Sequence, residues 1–367
     1  MTQNIAGQYA EVLEATRYFP SISLIMPFES KINLETEMAH KLKVASDRIE
    51  NELEKNFPED QVKPVLKKFR QVISELKLEP DKKTVAIFVS PLIQKVYYLD
   101  QPIEEKIIID DSFEVRDLIY SKKNINRYVL AILSGRETKV FLNNGGEFIP
   151  LALNVPDHVE AYRNDMNEKT ANFSDQQEQK EIVFDKFLRH TDNGLAAILQ
   201  ELGLPVFIMG TDKTIGHFKT ITHNAKSVIA YIPGNYEETA FPELHKILEP
   251  YIAEWKIIKQ LRLLKMVDEA MSQKKLAVGI KEVWKAASEK RGRLLVVEKN
   301  FVYPAQHGAN PDVIYGYDET INSAFYIKDA VDDVIQKVLS SGGDVEFVEE
   351  GVLQEYLKIV LIEYYGG

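Results

Sequence analysis

The chain has 367 residues, of which 45% are hydrophobic and 10% aromatic, and its formal net charge is −11. This composition allows two or three globular domains, and the absence of cysteine excludes disulfides, thiolate metal sites and cysteine nucleophiles. No signal-peptide pattern and no run of 18 apolar residues occurs in the sequence, so we expect a cytoplasmic protein without a membrane span.

Residues 1–124 predict a first α/β domain. SISLIMP (21–27) is typical of a strand, and apolar residues then recur every three or four positions from Leu34 to Leu53, as on one face of a helix that ends near Phe57. A second helix is predicted from Glu59 to Leu76, and strands are predicted at 84–90 and 95–100. IIIDD and VRDLIY complete this α/β pattern.

Residues 125–270 predict a middle domain built on a mixed sheet. Its first three strands, RYVLAIL, TKVFLNN and EFIPLAL, follow one another at hairpin spacing, with the strong turn signal Asn144-Gly145 before the third. Ser174 and Gln177 have the spacing of a capping box, which predicts a helix start near Ser174. Buried strands are predicted at 205–210 and 227–233, a turn and strand at GHFKTITH (216–223), and a long helix at 241–271.

Residues 271–367 predict a third, C-terminal α/β domain. GIKEVWKAASEKRG (279–292) is typical of a helix that stops at Gly292. RLLVVE (293–298) predicts a strand, and VDDVIQKVLSSGG (331–343) predicts a helix that ends at its two glycines. DVEFVEE and LQEYLKIVLIEYY complete the pattern.

This order of units resembles the archaeo-eukaryotic release-factor superfamily, which includes Pelota and a set of bacterial relatives. The resemblance is centred on YVLAILSGRETKVFLNNGGEFIPL (128–151), which is similar to the paired strands that open the middle domain of that family. The first domain looks most like the bacterial branch. The third resembles a fold shared with kink-turn-binding ribosomal proteins. The resemblance implies a three-domain α/β fold with a long loop protruding from the middle domain.

The decisive motif of that family, Gly-Gly-Gln at the tip of the loop, is missing here. Residues 155–181 contain no glycine, and Ser174, Asp175, Gln176 and Gln177 stand nearest to its position. The loop carries seven acidic and three basic residues, which is unfavourable for docking on phosphate. Tyr162 and Phe173 either stack on a base or hold the loop in place. The resemblance therefore implies ribosome binding without release chemistry, and we assign no catalytic residue.

The segment 255–293 has the opposite charge. It contains eleven basic and four acidic residues, for a net charge of +7, so the rest of the chain carries −18. Such a segment can neutralise phosphates, and the candidate RNA-contacting residues are Lys274, Lys275, Arg291 and Arg293. The expected partner is the ribosome or a structured RNA. The alternative is a solvated helix face at a domain junction.

Other chemistry has little support in the sequence. His217 and His223 have only Asp212 nearby, and the pairs Asp110-Asp111 and Asp332-Asp333 lack the spacing of two carboxylates that face one substrate atom. Phosphate-loop, dinucleotide and nucleophile-elbow motifs are absent from the sequence, so we expect no cofactor and no metal. Two alternatives to a ribosome-associated termination or rescue factor stay open. One is a hydrolase whose carboxylate and histidine residues converge only in the fold, and the other is a protein-interaction scaffold.

Overall fold

The structure is a computed structural model that describes residues 9, 11–13, 20–28, 34–79, 82–124, 126–162, 176–308, 310, 312–316 and 326–365. Its internal contacts divide the chain into two compact units. One consists of residues 126–259, and the other combines residues 3–125 with residues 260–367. Both units contain sheets and helices, which confirms the predicted α/β class. Among the described residues, no helix has the length and apolar character needed to cross a membrane.

Within 20–124, an antiparallel sheet of order β3-β2-β1-β4 packs against two long helices. The predicted strands and both predicted helices of this region are confirmed. The elements are β1 (Ser21–Pro27), α1 (Leu34–Asn56), α2 (Glu59–Glu75), β2 (Thr84–Val89), β3 (Gln94–Leu99), β4 (Lys106–Asp110) and α3 (Arg116–Asn124).

The unit of residues 126–259 contains the predicted mixed sheet, of order β7-β6-β5-β8-β9. Its hairpin strands β5, β6 and β7 are antiparallel, whereas β5, β8 and β9 are parallel. Gly145 and Gly146 both have positive φ in the β6–β7 hairpin, as the sequence predicts. The elements are β5 (Tyr128–Leu133), β6 (Thr138–Asn144), β7 (Glu147–Leu151), α4 (Gln176–Leu202), β8 (Val206–Gly210), α5 (Asp212–Ile221), β9 (Val228–Pro233) and α6 (Phe241–Ser272), which continues into the other unit.

The C-terminal part of the other unit forms a sheet of order β10-β16-β11-β15 and a small sheet of order β13-β12-β14. In the larger sheet, β16 runs antiparallel to both of its neighbours, β10 and β11, so these two strands are parallel to each other. The elements are β10 (Leu276–Val278), α7 (Gly279–Ser288), β11 (Gly292–Glu298), β12 (Ala305–His307), β13 (Ile314–Gly316), β14 (Tyr326–Ile327), α8 (Ala330–Ser340), β15 (Asp344–Val348) and β16 (Ile359–Glu363).

A single hydrophobic core joins the N-terminal sheet to the C-terminal part. Ile22, Leu24 and Met26 of β1 pack under α1 and α2, whereas Ile25 of β1 packs in a cluster that includes Trp284 of α7. Strands β1 and β2 are therefore covered on both faces. This double burial explains why SISLIM and TVAIFV read as nearly continuous apolar runs and not as alternating ones.

Three local predictions are wrong. The helix at 279–292 ends at Ser288, where Lys290 takes the left-handed conformation with φ of 58°, and Gly292 instead opens β11. GHFKTITH lies mostly in helix α5, which Thr211 caps by accepting a hydrogen bond from the Thr214 backbone N–H at 3.3 Å. The strand at 227–233 lies at the edge of its sheet, and only Ile232 in it is buried.

A fourth correction concerns the segment 155–173, which we expect to protrude. Its first part packs on the core instead: Thr138 N–H donates to Asp157 O at 2.8 Å and Val159 N–H to Arg136 O at 2.8 Å. Val159 and Tyr162 are buried in a 3-10 turn. The remainder, 163–173, lies outside the described residues.

Candidate nucleic-acid interface

The sheet topology brings the four predicted RNA-contacting residues to one end of the C-terminal sheet. Lys274 and Lys275 precede β10, while Arg291 and Arg293 lie at the start of β11. Because β10 and β11 are parallel and flank β16, both strand starts lie beside the end of β16. Backbone hydrogen bonds fix this arrangement: Glu363 N–H donates to Lys275 O at 2.9 Å, and Tyr364 N–H donates to Arg291 O at 3.1 Å.

Three of these cations and the neighbouring Lys290 lie at two helix C-termini that have the same hydrogen-bond pattern. At the end of α6, Lys274 N–H donates to Met271 O and Lys275 N–H to Ala270 O. At the end of α7, Lys290 N–H donates to Ala287 O and Arg291 N–H to Ala286 O. Both are Schellman motifs, whose left-handed position is usually glycine.

That left-handed position is a lysine in both motifs, with φ of 56° at Lys274 and 58° at Lys290. A side chain in this conformation brings Cβ close to the following carbonyl oxygen, at a cost of roughly 1–2 kcal/mol. The chain thus carries a cation at two positions where glycine relieves strain. Lys290 is a member of this group that sequence reasoning missed, although its place one residue before Arg291 is a signal for it.

Arg293 lies in a β-bulge at the start of β11. Gly292 pairs with Glu363 and Leu294 pairs with Ile362, so Arg293 is an extra residue with no partner across the ladder. Bulges at strand ends re-aim side chains. Arg293 is exposed, as are Lys274 and Lys290, and Lys275 is half-buried.

Arg291 has a different role from the other cations. Its Nε atom lies 2.7 Å from Glu289, and its guanidinium also pairs with the Glu363 carboxylate, whose side chain is only 7% exposed. In the described part of the chain, Lys274, Lys275, Lys290 and Arg293 make no ion pair. We call these four residues with Arg291 the basic end. The five cations outnumber the two carboxylates that pair with Arg291, so the charge summed over these seven residues is positive.

Two of the four residues nearest the family motif lie at the start of helix α4. Gln176 and Gln177 form its first two positions, and Ser174 and Asp175 lie outside the described residues. The described start of α4 at Gln176 agrees with a helix beginning near Ser174 to within two residues. Tyr162 holds the preceding chain in place, since its ring packs against Phe187 and its hydroxyl donates to Pro156 O at 3.1 Å.

A second polar cluster, missed by sequence reasoning, lies where the N-terminal and C-terminal parts meet. Asp332 of α8 accepts hydrogen bonds from the backbone N–H groups of Val115 at 3.0 Å and Arg116 at 2.8 Å. These groups open helix α3, so Asp332 caps a helix that lies far away in the sequence. Asp329 caps its own helix through Val331 N–H at 3.0 Å and pairs with the Arg116 guanidinium.

Both acidic pairs noted in the sequence line this cluster, around a cavity of about 270 Å³. Ser112 donates to Asp333 at 3.3 Å, and Gln336 donates to Phe113 O at 2.8 Å. Burial raises the pKa of Glu114 from 4.5 to about 7 and that of Asp110 from 3.8 to about 6. Burial also raises the pKa of Asp332 well above its usual value, and the neighbouring Glu114 carboxylate raises it further.

We call the residues around this cavity the junction cluster, and their contacts stabilise the packing of the N-terminal part against the C-terminal part. Its carboxylates accept backbone N–H groups, and Lys106, Arg116 and Lys328 line the same cavity. Within the described ranges, no group of three or more histidine and acidic residues is placed to hold a metal ion. The side chains that line this cavity include carboxylates and cations but no histidine, and the alternative of a hydrolase with a carboxylate and histidine site stays a prediction.

The histidines of GHFKTITH pair with two different aspartates of α4. His217 Nε2 lies 2.8 Å from Asp185, and His223 Nδ1 lies 3.3 Å from Asp192. Asp192 is buried and also accepts hydrogen bonds from Thr222 Oγ1 at 2.6 Å and Asn224 Nδ2 at 2.8 Å. Asp192 thus fastens the turn after α5 to the neighbouring helix, and the two histidines do not share a ligand set.

Comparison with protein families finds a model that matches the middle of the chain. The model described as bacterial archaeo-eukaryotic release factor family 3 matches residues 127–291, which includes the mixed sheet, α6, β10 and α7. The match confirms the resemblance drawn from the sequence. No curated protein shows significant similarity to the chain.

Several solved structures are similar to the chain at low sequence identity. A ribosome-bound archaeal Pelota, solved with ABCE1, is 10% identical with a TM-score of 0.44, covering 98% of this chain and 94% of that one. Dom34 of S. cerevisiae, described as a translation termination-like factor, is 15% identical with a TM-score of 0.39, covering 75% and 74%. The archaeal translation termination factor aRF1 is 15% identical with a TM-score of 0.26, covering 99% and 98%.

Proposed function

We propose that this chain is a cytoplasmic, ribosome-associated factor that acts by binding RNA. Its residues 127–291 match the model described as bacterial archaeo-eukaryotic release factor family 3, which supports the proposal. The observation that carries the proposal is the basic end. Five cations from two separate helix ends and a β-bulge gather beside β16 in a protein whose net charge is −11. Cations concentrated in this way attract phosphate against the charge of the whole molecule.

The proposal excludes peptidyl-tRNA hydrolysis of the family's kind. Glycines let the backbone approach a buried ester closely because they carry no side chain and tolerate positive φ. Here the residues nearest that position are Ser174, Asp175, Gln176 and Gln177. Carboxylates next to an ester also repel a developing oxyanion, which needs hydrogen-bond donors.

Ribosome co-sedimentation at several salt concentrations tests the binding proposal. Reversal of Lys274, Lys275 and Arg293 to glutamate should strongly weaken co-sedimentation at low salt and lower the slope of log affinity against log salt by roughly two to three, one per lost phosphate contact. Arg291 is left unchanged because its loss leaves the buried Glu363 carboxylate without its cation. The matched control reverses Lys67, Lys213 and Lys226, three exposed lysines elsewhere, and should bind as wild type.

Equal co-sedimentation of the two triple variants would contradict RNA binding at the basic end and favour the scaffold alternative. Circular dichroism of both variants separates lost binding from lost folding.

A peptidyl-tRNA hydrolysis assay on ribosomes tests the second half of the proposal. We expect no release by the wild type above a protein-free control. Release by the wild type that is lost in Gln176→Ala or Gln177→Ala would show that the loop is a catalytic substitute for the family motif and would overturn this part of the proposal.

A further inference from the structure

Two exposed tyrosines follow β16 directly, in the middle of the basic end. The side chain of Tyr364 is 41% exposed and that of Tyr365 is 79% exposed. Their ring centroids lie 6.4 Å apart with an angle of 43° between the planes. Tyr364 is fixed by two hydrogen bonds, from its N–H to Arg291 O at 3.1 Å and from its hydroxyl to Gly342 O at 3.3 Å.

The position of these rings relative to the cations follows from the sheet. Strand β16 lies between β10 and β11, so Lys274 and Lys275 stand on one side of its end, and Arg291 and Arg293 on the other. Neighbouring strands lie about 5 Å apart, so the backbones at the starts of β10 and β11 lie about 10 Å from each other, on either side of the end of β16. Aromatic rings flanked on both sides by cations are the arrangement that binds single-stranded nucleic acid, with bases on the rings and the backbone on the cations.

We infer that the end of β16 is a docking site for single-stranded RNA, in which Tyr364 and Tyr365 stack on successive bases while the basic end neutralises the flanking phosphates. The inference deepens the proposed function, on which it rests, by naming unpaired RNA as the ligand of the basic end. A duplex keeps its bases stacked inside the helix and offers the rings no free face, whereas every unpaired base does. Recognition is expected to depend little on sequence.

Substitution of the two lysines with positive φ separates the contribution of charge to RNA binding from effects on protein stability. Lys274→Gly and Lys290→Gly each remove a cation from a left-handed position where glycine is the usual residue. These two substitutions should weaken RNA binding without lowering the stability of the protein. A purely structural role for the lysines predicts no change in RNA binding.

Fluorescence anisotropy with the full chain and three labelled probes tests the inference. The probes are a uridine oligomer, an abasic oligomer with the same number of phosphates, and an RNA duplex. Loss of one stacked base weakens binding by roughly 5- to 150-fold. We therefore expect the Tyr364→Ala, Tyr365→Ala double variant to bind the uridine oligomer at least about 10-fold more weakly, and the abasic oligomer as wild type does.

Two variants complete the experiment. Tyr365→Phe keeps the ring and should bind the uridine oligomer as wild type, whereas Tyr315→Ala removes a tyrosine of similar exposure, 58%, on β13 and should change nothing. The inference is overturned if the double tyrosine variant binds the uridine oligomer as wild type, or if the wild type binds the duplex or the abasic oligomer as tightly as the uridine oligomer.

The same variants in ribosome co-sedimentation distinguish this inference from the proposed function. Co-sedimentation that depends on Lys274, Lys275 and Arg293 but not on the tyrosines supports the ribosome proposal and overturns stacking. Tyrosine-dependent binding of the uridine oligomer without co-sedimentation supports the docking site and contradicts ribosome association.

Discussion

Replacement of Glu114 by glutamine should stabilise the protein at alkaline pH and leave its stability nearly unchanged at acidic pH. Glu114 is buried at the junction of the N-terminal and C-terminal parts, and burial raises its pKa from 4.5 to about 7. Arg116 opposes this rise, whereas Asp329 and Asp117 add to it. Glutamine has nearly the same shape as the protonated glutamic acid and carries no charge at any pH.

The magnitude follows from the difference between the two pKa values. In the folded protein the carboxyl group holds its proton up to about pH 7, and in the unfolded chain it loses the proton near pH 4.5. Stability from this group is therefore complete below pH 4.5 and is lost as pH rises to 7. At 1.36 kcal/mol per pKa unit, the loss is about 3 kcal/mol. Glu114→Gln removes this loss.

Urea unfolding of wild type and Glu114→Gln at pH 5 and at pH 8 measures the effect. The difference between their unfolding free energies should grow by about 2–3 kcal/mol between the two pH values. Glu50→Gln is the contrasting control, because the hydrogen bond from Arg70 lowers the pKa of Glu50 and no such gain at high pH is expected. A difference that stays constant with pH, or that grows toward pH 5, would refute the reasoning.

Three further predictions concern the basic end, the junction and the α4–α5 contact. Lys274→Gly and Lys290→Gly should each raise the free energy of unfolding by about 0.5–1 kcal/mol. Glycine removes the steric strain of positive φ, and this gain exceeds the lost attraction between the lysine and the helix C-terminus. Lower thermal midpoints for both variants would contradict this prediction. Asp332→Ala should lower the free energy of unfolding by about 1–2 kcal/mol because α3 loses its cap, while Asp332→Asn keeps an acceptor and should lose less; chemical denaturation compares the two. Asp192→Ala should cost about 2 kcal/mol or more, since it leaves the Thr222 hydroxyl and the His223 backbone N–H without their acceptor. Amide hydrogen exchange in residues 222–224 should rise in this variant and not in Asp212→Ala.

The sequence alone determined most of the local structure, because each element carries its own pattern. The three-residue and four-residue spacing of apolar side chains predicts α1 and α2 to within one or two residues, and Asn144-Gly145 predicts the hairpin whose two glycines have positive φ. The order of these patterns was also sufficient for the superfamily resemblance that the family match confirms. The boundaries at 124/125 and 270/271 and the resemblance of residues 271–367 to kink-turn-binding proteins stay predictions.

Local patterns failed where a neighbour in space sets the conformation. GHFKTITH is polar and β-branched enough to resemble a strand, yet α5 forms because Phe218 and Ile221 bury one of its faces in the core. Gly292 resembles a helix stop in the sequence. In the structure it lies in β11, where a glycine fits because a Cβ atom would lie only 3.0 Å from the side chain of Leu361.

Only the tertiary structure decided which apolar and polar groups meet. Periodicity shows that a face of β1 is apolar but not that α7 and α8, more than 250 residues later, help to cover it. Likewise, charge counting finds the cations of 255–293, but the antiparallel pairing of β16 with β10 and β11 places Tyr364 and Tyr365 among them. Asp332 caps α3 from 216 residues away. The sequence gives the chemical type of each side chain directly. Which residue that side chain contacts depends on the order of the strands, and this order depends on how the whole chain buries its apolar surface.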